Sequence, residues 1–567
     1  TTKRGKLNKP QFGFTGNSGF TNATSLLPIV NSYQYALFRN EGIRNAEAAG
    51  NSSFDNLLFT DNDLWKFKNN RDYTQDEINN LEIGNADRQA LANSPALYYT
   101  SHNYFKEIFG GQGQQQQYNM NISGGVEKVR YFASLGYYHQ QGILNDYNYG
   151  DANTNSNFKR YNFRSNFDID VFKNFQISVN LAGQSTVAHL PSGGYGANDQ
   201  GDRYQLIIQK IFESSPFVGP NFVNGKLVNG FIGTSGDGIN PLVDKGGSGV
   251  SPISDFLGAG VVNQYITTLT STVNLKHQMD YLTKGLNLSG KIAYDDSYTK
   301  GFYEAKSIPL YKAMRDPGNP NNIVLAGGQL NPDYTSDNWG NGSWRKVYVE
   351  ASIDYARSFG KHNVTALFLG NAQKYTANDL AYNTPSGLMG LVGRVTYNFS
   401  ERYLFEFNMG LNGTENFAPS RRFGYFPAVS AGWVLTKEPF FPKNDILTWM
   451  KFRGSYGEVG SDRLGSRRYL YLPNGWSSGT SGYYFGNSNG SSANPYFSGA
   501  SETTLGNPNV TWERAKKLNL AADMRFWKDK VTLSATIFSE KRNNILELVY
   551  HILCNYLLLL CERHECF

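Results

Sequence analysis

A strict alternation of apolar and polar side chains over residues 403–412 constrains the fold of this chain more than any other feature. The odd-numbered positions carry Tyr403, Phe405, Phe407, Met409 and Leu411, and the even-numbered positions carry Glu406, Asn408 and Asn412. Successive side chains of a β-strand point to opposite faces, so this period of two indicates a strand with one apolar and one polar face.

The neighbouring residues extend this strand into a hairpin and a third strand. The preceding run, 389–399, alternates in the same way and places Arg394 on its polar face. Only Ser400 and Glu401 separate the two runs, which predicts a β-hairpin with a tight turn. A polar loop then leads to a third run that ends at Trp433. Long strands with a tight turn at one end and a looser loop at the other are typical of a transmembrane β-barrel.

The same organisation repeats along the chain. Short turns are expected near 173–174, 283–285, 359–361, 400–401 and 528–529, and longer polar excursions over 184–262, 298–345, 373–388, 413–424 and 460–510. The pattern predicts an all-β, antiparallel transmembrane β-barrel with short periplasmic turns and long extracellular loops, beginning with a strand over Gln11–Phe20. A soluble β-sandwich would distribute its loop lengths more evenly. We count about fifteen candidate strands, whereas outer-membrane transporters with a plugged lumen have about 22, so a partial barrel is expected.

Composition agrees with a barrel and excludes a helical membrane protein. Aromatic residues make up 14% of the 567 residues, glycine occurs 59 times, and the mean hydropathy is −0.47. In a barrel the rings lie at the two water–lipid interfaces and only alternate residues face lipid. Composition alone equally allows a large soluble all-β protein. The net charge of +6 is small and no basic cluster follows one face, so nucleic acid is not a predicted partner.

Spaced motifs in one unbroken register add a family resemblance. They are Gly393-Arg394, Arg402-Tyr403-Leu404, Phe417-Ala418-Pro419, Arg422-Phe423-Gly424-Tyr425-Phe426-Pro427 and Val429-Ser430-Ala431-Gly432-Trp433. This pattern resembles the barrel core of the SusC/RagA-type TonB-dependent outer-membrane transporters. The chain departs from that family at Asn412-Gly413-Thr414, where Asp-Gly-Ser is usual, and at Ala428, where serine is usual. Neither departure changes the alternation of the strands.

The resemblance also implies a domain organisation. Residues 1–9, which open Thr1-Thr2-Lys3-Arg4-Gly5-Lys6, resemble the junction at which the plug of this family ends. Residues 10–546 then form the partial barrel, and the plug with its TonB-contacting segment is expected to precede the chain. Residues 547–567 lose the alternation and hold all three cysteines, Cys554, Cys561 and Cys566. This tail has no counterpart in the family and is interpreted as a possible frameshift.

A long insertion is expected between the first two strands, over residues 21–117. A short helix is predicted over Tyr33–Glu41, with Ser32 as its N-cap. The block 54–108 is predicted to be polar and loop-like, and the Gln114–Gln117 run to be a solvated spacer.

Two sets of residues are candidates for contact with cargo. Charged residues on the polar parity are candidates to face the lumen: Arg164, Asp168, Asp170, Arg394 and Glu406. They can form a solvated wall that pairs with the plug, or they can contact a substrate. Aromatic residues in the expected loops are candidate ligand contacts: Tyr334, Trp339, Trp344, Trp476 and Tyr483. Their rings can stack on sugars or grip a peptide, or they can anchor the interface and pack the loops.

The resemblance implies a function as well. It implies import of glycan or peptide oligomers across the outer membrane of a Bacteroidetes-type bacterium, with a SusD-type surface lipoprotein and TonB as partners. Residues 1–567 are expected to be inactive by themselves. No metalloprotease, nucleophile-elbow or P-loop motif is present, so neither an enzyme nor a cofactor is predicted. The alternatives are a passive channel or structural barrel of the outer membrane, and a secreted β-rich glycan-binding protein.

Overall fold

A computed structural model provides the fold. It describes residues 3–545 except 52–56, 72, 86–87, 89–98, 146, 148–153, 193–202, 219–220, 229–250, 259, 307, 317–318, 329–333, 379, 381–383, 443, 464–467, 473, 479–482, 485–495, 498 and 505. The tail predicted over 547–567 therefore lies outside the described residues. No described helix has the length and apolar content needed to cross a bilayer.

Strands dominate the structure, as the alternating pattern predicts. Their bounds are β1 Gln11–Thr21, β2 Gly113–Val126, β3 Val129–Gln141, β4 Asn157–Phe172, β5 Phe175–Pro191, β6 Asn221–Val223, β7 Lys226–Val228, β8 Val261–Gln278, β9 Leu286–Lys306, β10 Tyr311–Asp316, β11 Asn319–Gly327, β12 Tyr334–Phe359, β13 His362–Ala377, β14 Ser386–Phe399, β15 Tyr403–Thr414, β16 Phe423–Val434, β17 Leu447–Ser461, β18 Asn474–Ser478, β19 Tyr483–Tyr484, β20 Tyr496–Phe497, β21 Ala500–Thr504, β22 Glu513–Phe526 and β23 Val531–Asn543.

Fifteen of these strands share one sheet. Its order is β1-β2-β3-β4-β5-β8-β9-β12-β13-β14-β15-β16-β17-β22-β23, so strands that follow each other along the chain lie side by side. Within this sheet the pairs for which a register is described are antiparallel, for example β13 with β14 and β14 with β15. The antiparallel fold class and the strand number predicted from the sequence are confirmed. β6, β7, β10 and β11 form a separate small sheet.

Turn geometry explains why the hairpins are tight. Ser400 and Glu401 have φ values of +51° and +57°, and Trp527, Lys528 and Asp529 have φ values of +51°, +55° and +67°. Such left-handed residues let antiparallel strands reverse within a few residues and keep their right-handed twist. The turns predicted at 400–401 and 528–529 are confirmed.

Two loop predictions are wrong because the residues lie in strands. Gln114–Gln117 is no spacer, because it lies in β2 and pairs with Asn17–Phe20 of β1. The excursion expected over 298–345 is largely extended, since β9 runs to Lys306 and β12 starts at Tyr334. The strands therefore continue well beyond the ends that hydrophobic alternation marks.

Helices occupy much of the insertion that was expected to be loop-like. In the insertion they are α1 Ser32–Ala48, α2 Asp61–Asn69, α3 Gln75–Asn80 and α4 Tyr104–Phe109. Two more helices, α5 Arg203–Glu213 and α6 Pro252–Gly258, lie between β5 and β8, and one-turn 3-10 helices lie at Pro419–Arg421 and Leu435–Lys437. The helix predicted over Tyr33–Glu41 exists but is longer, and its N-cap is Asn31 rather than Ser32. The Asn31 side chain accepts from the Gln34 N–H while the Gln34 side chain accepts from the Asn31 N–H, which forms a capping box.

Contacts divide the chain into two compact units. The first contains Thr1–Ile169, Ser178–Thr272 and Tyr294–Arg345, and the second contains Asp170–Ile177, Val273–Ala293 and Lys346–Phe567. The first unit has a substantial core where α4, α5 and α6 meet, made of Tyr104, Phe105, Ile108, Phe109, Leu144, Ile207, Ile211, Leu227, Ile253, Phe256 and Leu257. The second unit has a small cluster of Phe417, Phe426, Val510 and Trp512.

Candidate functional site

The apolar face of the second unit is exposed, which is the reverse of a water-soluble sheet. Register places Phe405 of β15 opposite Tyr397 of β14 and Ala431 of β16. Phe405 is 45% exposed, and Leu520 in the same row on β22 is 55% exposed. Large apolar side chains that stand exposed in a row across neighbouring strands mark a surface that does not face water.

The apolar face approaches the height of the lipid-facing band of a barrel. On β22 the same-face residues from Leu518 to Phe526 are all apolar and span eight residue steps, about 26 Å at roughly 3.3 Å per residue. Outer-membrane barrels carry an apolar band about 25 Å tall, which a tilted strand of this length approaches. At the loop end of this face Lys516 of β22 lies opposite Lys541 of β23 in the strand register, and the two positive charges mark the end of the apolar band.

The first unit repeats this arrangement on β1–β4. Cross-strand pairs line up one apolar row, made of Phe14, Met120, Leu135 and Phe163. The next row toward the loop end is aromatic, made of Tyr118, Tyr137 and Tyr161, whose neighbouring ring centroids lie 6.3 Å and 5.2 Å apart. An aromatic row above an apolar row is the pattern of a barrel interface girdle.

The opposite face of the second unit is polar and internally paired. Arg394 Nε lies 3.0 Å from Glu406 Oε1, and the Asn408 amide donates to the same oxygen at 2.8 Å. Farther along, Arg453 Nε lies 2.8 Å from Asp523 Oδ2. These cross-strand pairs neutralise charge along the face while keeping it hydrophilic.

A groove of about 530 Å³ lies on this polar face, toward the turn end. Its polar lining includes Thr396, Glu406, Ser430, Lys451, Arg453 and Asn519. The combination of hydroxyl, amide, carboxylate and cationic groups suits a hydrophilic chain, and Leu404 and Ala431 add an apolar part to the lining.

The five predicted lumen-facing residues fall into separate local groups. Arg394 and Glu406 pair with each other, as described above. Asp168 is buried, forms an ion pair with Arg4 and accepts from the Ser178 hydroxyl at 2.6 Å. Asp170 accepts from the Gln176 amide at 2.7 Å, and Arg164 is exposed on β4. Whether any of them faces a lumen stays a prediction.

The five aromatic candidates lie on strands rather than in loops. Tyr334, Trp339 and Trp344 belong to β12, Trp476 to β18 and Tyr483 to β19. Trp344 is half-buried. The side chains of the other four lie outside what the structure describes, so their role in ligand contact also stays a prediction.

Sequence reasoning missed a buried carboxylate in the connection between β16 and β17. Glu438 is buried, and its carboxylate accepts from the Trp433 indole N–H at 2.9 Å and from Arg402 Nη1 at 3.0 Å. Hydrogen bonds from Trp433, from the Tyr403 hydroxyl and from Arg402 hold the pKa of this carboxyl below its usual value. The only signal in the sequence is a single acid just before the apolar Pro439-Phe440-Phe441 run. Within the described residues no group of three or more His, Cys, Asp or Glu side chains could hold a metal ion.

Comparison with known proteins shows which proteins this chain is similar to. No protein-family model matches the chain. The TonB-dependent receptor P3 of Formosa agariphila is 22% identical over 498 residues, which cover 84% of this chain and 45% of that receptor. The TonB-dependent receptor SusC of Bacteroides thetaiotaomicron is 29% identical over 174 residues, which cover 30% of this chain and 16% of that receptor.

Solved structures support the same fold. The RagAB peptide importer in its "closed-closed" state gives a TM-score of 0.59 at 16% identity and covers 96% of this chain and 56% of that chain. The chain is thus similar to TonB-dependent receptors, which are receptors and transporters rather than enzymes. Within that class, the SusC/RagA-type resemblance seen in the sequence is confirmed. The chain spans about half the length of the relatives it matches.

Proposed function

We propose that this chain forms part of the barrel wall of an outer-membrane importer that takes up oligomers with energy supplied through TonB. The observation that carries the proposal is the two-faced sheet. Its apolar face suits lipid, and its polar face, with the Arg394–Glu406 and Arg453–Asp523 pairs, suits a hydrated interior.

The cargo we propose is a peptide or glycan oligomer. The RagAB structures are of a peptide importer, and the SusC-like relatives support the same kind of transporter here. The polar groove beside Lys451 and Glu406 offers both charges and hydrogen-bonding groups, which suits a hydrophilic chain. A SusD-type surface lipoprotein would close the loop side, and the outer membrane of a Bacteroidetes-type bacterium would house the pair.

A plug is a physical requirement of this proposal. A barrel of about 22 strands is wide enough to leak unless its lumen is filled. The periplasm contains no ATP, so the force that moves a plug must come from a partner such as TonB. We propose that the complete protein carries that plug before residue 10, and that residues 1–567 alone do not transport.

Uptake in the native host tests this function. A strain that lacks the complete gene is complemented with the complete gene or with residues 1–567, and fluorescent peptides and oligosaccharides are supplied with and without TonB. The complete gene should restore uptake of one cargo class only when TonB is present, and residues 1–567 should restore none. Uptake that persists without TonB would instead indicate a passive channel. Restored membrane integrity with no uptake would indicate a structural barrel.

A further inference from the structure

The segment Lys3–Asn8 lies against the polar face of β2–β4 and is held there by its own main chain. The Asn166 side-chain amide donates to the Lys3 carbonyl at 2.7 Å, and the Gly125 N–H donates to the Asn8 carbonyl at 3.2 Å. Between these two points a Cβ at Gly5 would come within 2.5 Å of the main-chain N and O of Tyr131. Only glycine allows the segment to approach the sheet this closely.

One ion pair joins the same segment to β4. The Asp168 carboxylate contacts the Arg4 guanidinium and also accepts from the Ser178 hydroxyl on the neighbouring strand. Asp168 is only 7% exposed, whereas the Arg4 side chain is 47% exposed. Removing Arg4 would leave the largely buried Asp168 carboxylate without its cationic partner, which costs free energy because a charge in a poorly hydrated site needs a counter-charge.

We propose that Asp168, Arg4 and Asn166 form an anchor that keeps the segment Lys3–Asn8 fixed to the barrel wall while cargo is transported. The inference rests on the proposed TonB-dependent function. In this arrangement a pulling force on residues before Lys3 is transmitted through the Arg4–Asp168 ion pair to β4. The residues after Arg4 then carry none of that force. The moving part therefore begins before the anchor, and β1 keeps its pairing with β2 throughout the cycle.

Chemical labelling under load tests the anchor. The complete protein is studied in its own outer membrane with Cys554, Cys561 and Cys566 replaced by serine, and Asn8→Cys supplies the only thiol in this part of the protein. Asn8 is partly buried, so its labelling rate by a maleimide reports whether the segment detaches. The rate is measured with TonB energised and with the proton gradient collapsed.

The anchor predicts a specific set of rates. With Arg4 and Asp168 intact, energised TonB should leave the labelling rate unchanged. With Arg4→Gln, and separately with Asp168→Asn, energised TonB should raise it by about tenfold or more, because each change removes the ion pair that holds the segment and one decade of rate requires only about 1.4 kcal/mol. Asp170→Asn is the matched control, since Asp170 lies two residues farther along the same strand and bonds Gln176 instead.

A purely structural role for the pair would lower the amount of heat-modifiable barrel in the membrane without making the labelling rate depend on TonB. The anchor is refuted if the intact protein labels faster when TonB is energised, because the segment then moves in normal transport. It is also refuted if well-folded Arg4→Gln protein labels like the intact protein. TonB-dependent uptake is measured in the same cells, so a failure of the proposed function would be recognised separately.

Discussion

Apolar residues follow opposite rules in the helical insertion and in the sheet. Ile108 on α4 is fully buried among aromatic and aliphatic neighbours, whereas Phe405 on β15 is 45% exposed. Removing a large aliphatic side chain from water is worth about 1.5–3 kcal/mol. A water-soluble sheet would therefore not leave so many large apolar side chains exposed. The insertion is built to be stable in water, and the sheet is built for a solvent that is itself apolar.

The largest expected effect is in the insertion. Ile108→Ala should destabilise it by about 2–5 kcal/mol, because the cavity forms in a close-packed core that cannot collapse around it. Hydrogen exchange of residues 99–112 measures the loss. Phe38→Ala, at an exposed position on α1, is the matched control and should change stability by less than about 0.5 kcal/mol. Equal losses at the two positions would mean that the insertion lacks a packed core.

A somewhat smaller effect is expected on the sheet, and its size depends on the face that carries the substitution. Phe405→Arg should cost about 2–4 kcal/mol near the bilayer midplane, because a charge must enter hydrocarbon. Ser430→Arg lies on the polar face opposite Glu406 and should be tolerated. Urea unfolding in lipid vesicles measures both variants. If the two arginines are equally harmful, neither face of the sheet contacts lipid.

The smallest effect is expected at Glu438, in the connection between β16 and β17. The pKa of Glu438 lies below the ordinary value of about 4.3, so its ion pair contributes full stability above that pH. As the pH falls through the lowered pKa, the carboxylate gains a proton and this contribution is lost. The indole N–H resonance of Trp433 should therefore shift only below about pH 4.3. Glu438→Gln should abolish this transition, and a persistent transition would assign it to another group.

Local pattern predicted the sheet well because each strand carries its own signal. The alternation of β14 and β15 and the turn at Ser400 give the register, and the register brings Arg394 beside Glu406. The insertion helices α2 and α3 were missed because they are short and polar outside. Their capping boxes, Thr60 with Asp63 and Thr74 with Glu77, are sequence patterns that indicate the start of a helix.

The long-range contacts could not be predicted. Asp168 and Arg4 are separated by 164 positions, and nothing in either neighbourhood indicates the other. The Glu438 cluster has the same character, since Arg402 reaches it from the start of a different strand. Such pairs follow from the assembled sheet, and parity alone indicates only which face a side chain occupies.

Sequential pairing of neighbouring strands has a consequence for how this gene can vary. Side chains alternate between the two faces of a strand, so an odd or even position decides which face a residue occupies. One residue inserted into or deleted from β15 would therefore move every following side chain, up to the next turn, to the opposite face. The same change in the long connection between β17 and β22 leaves the parity of those two strands unchanged. Surviving length variants of this protein should therefore cluster in the long connections, and strand lengths should change by even numbers of residues.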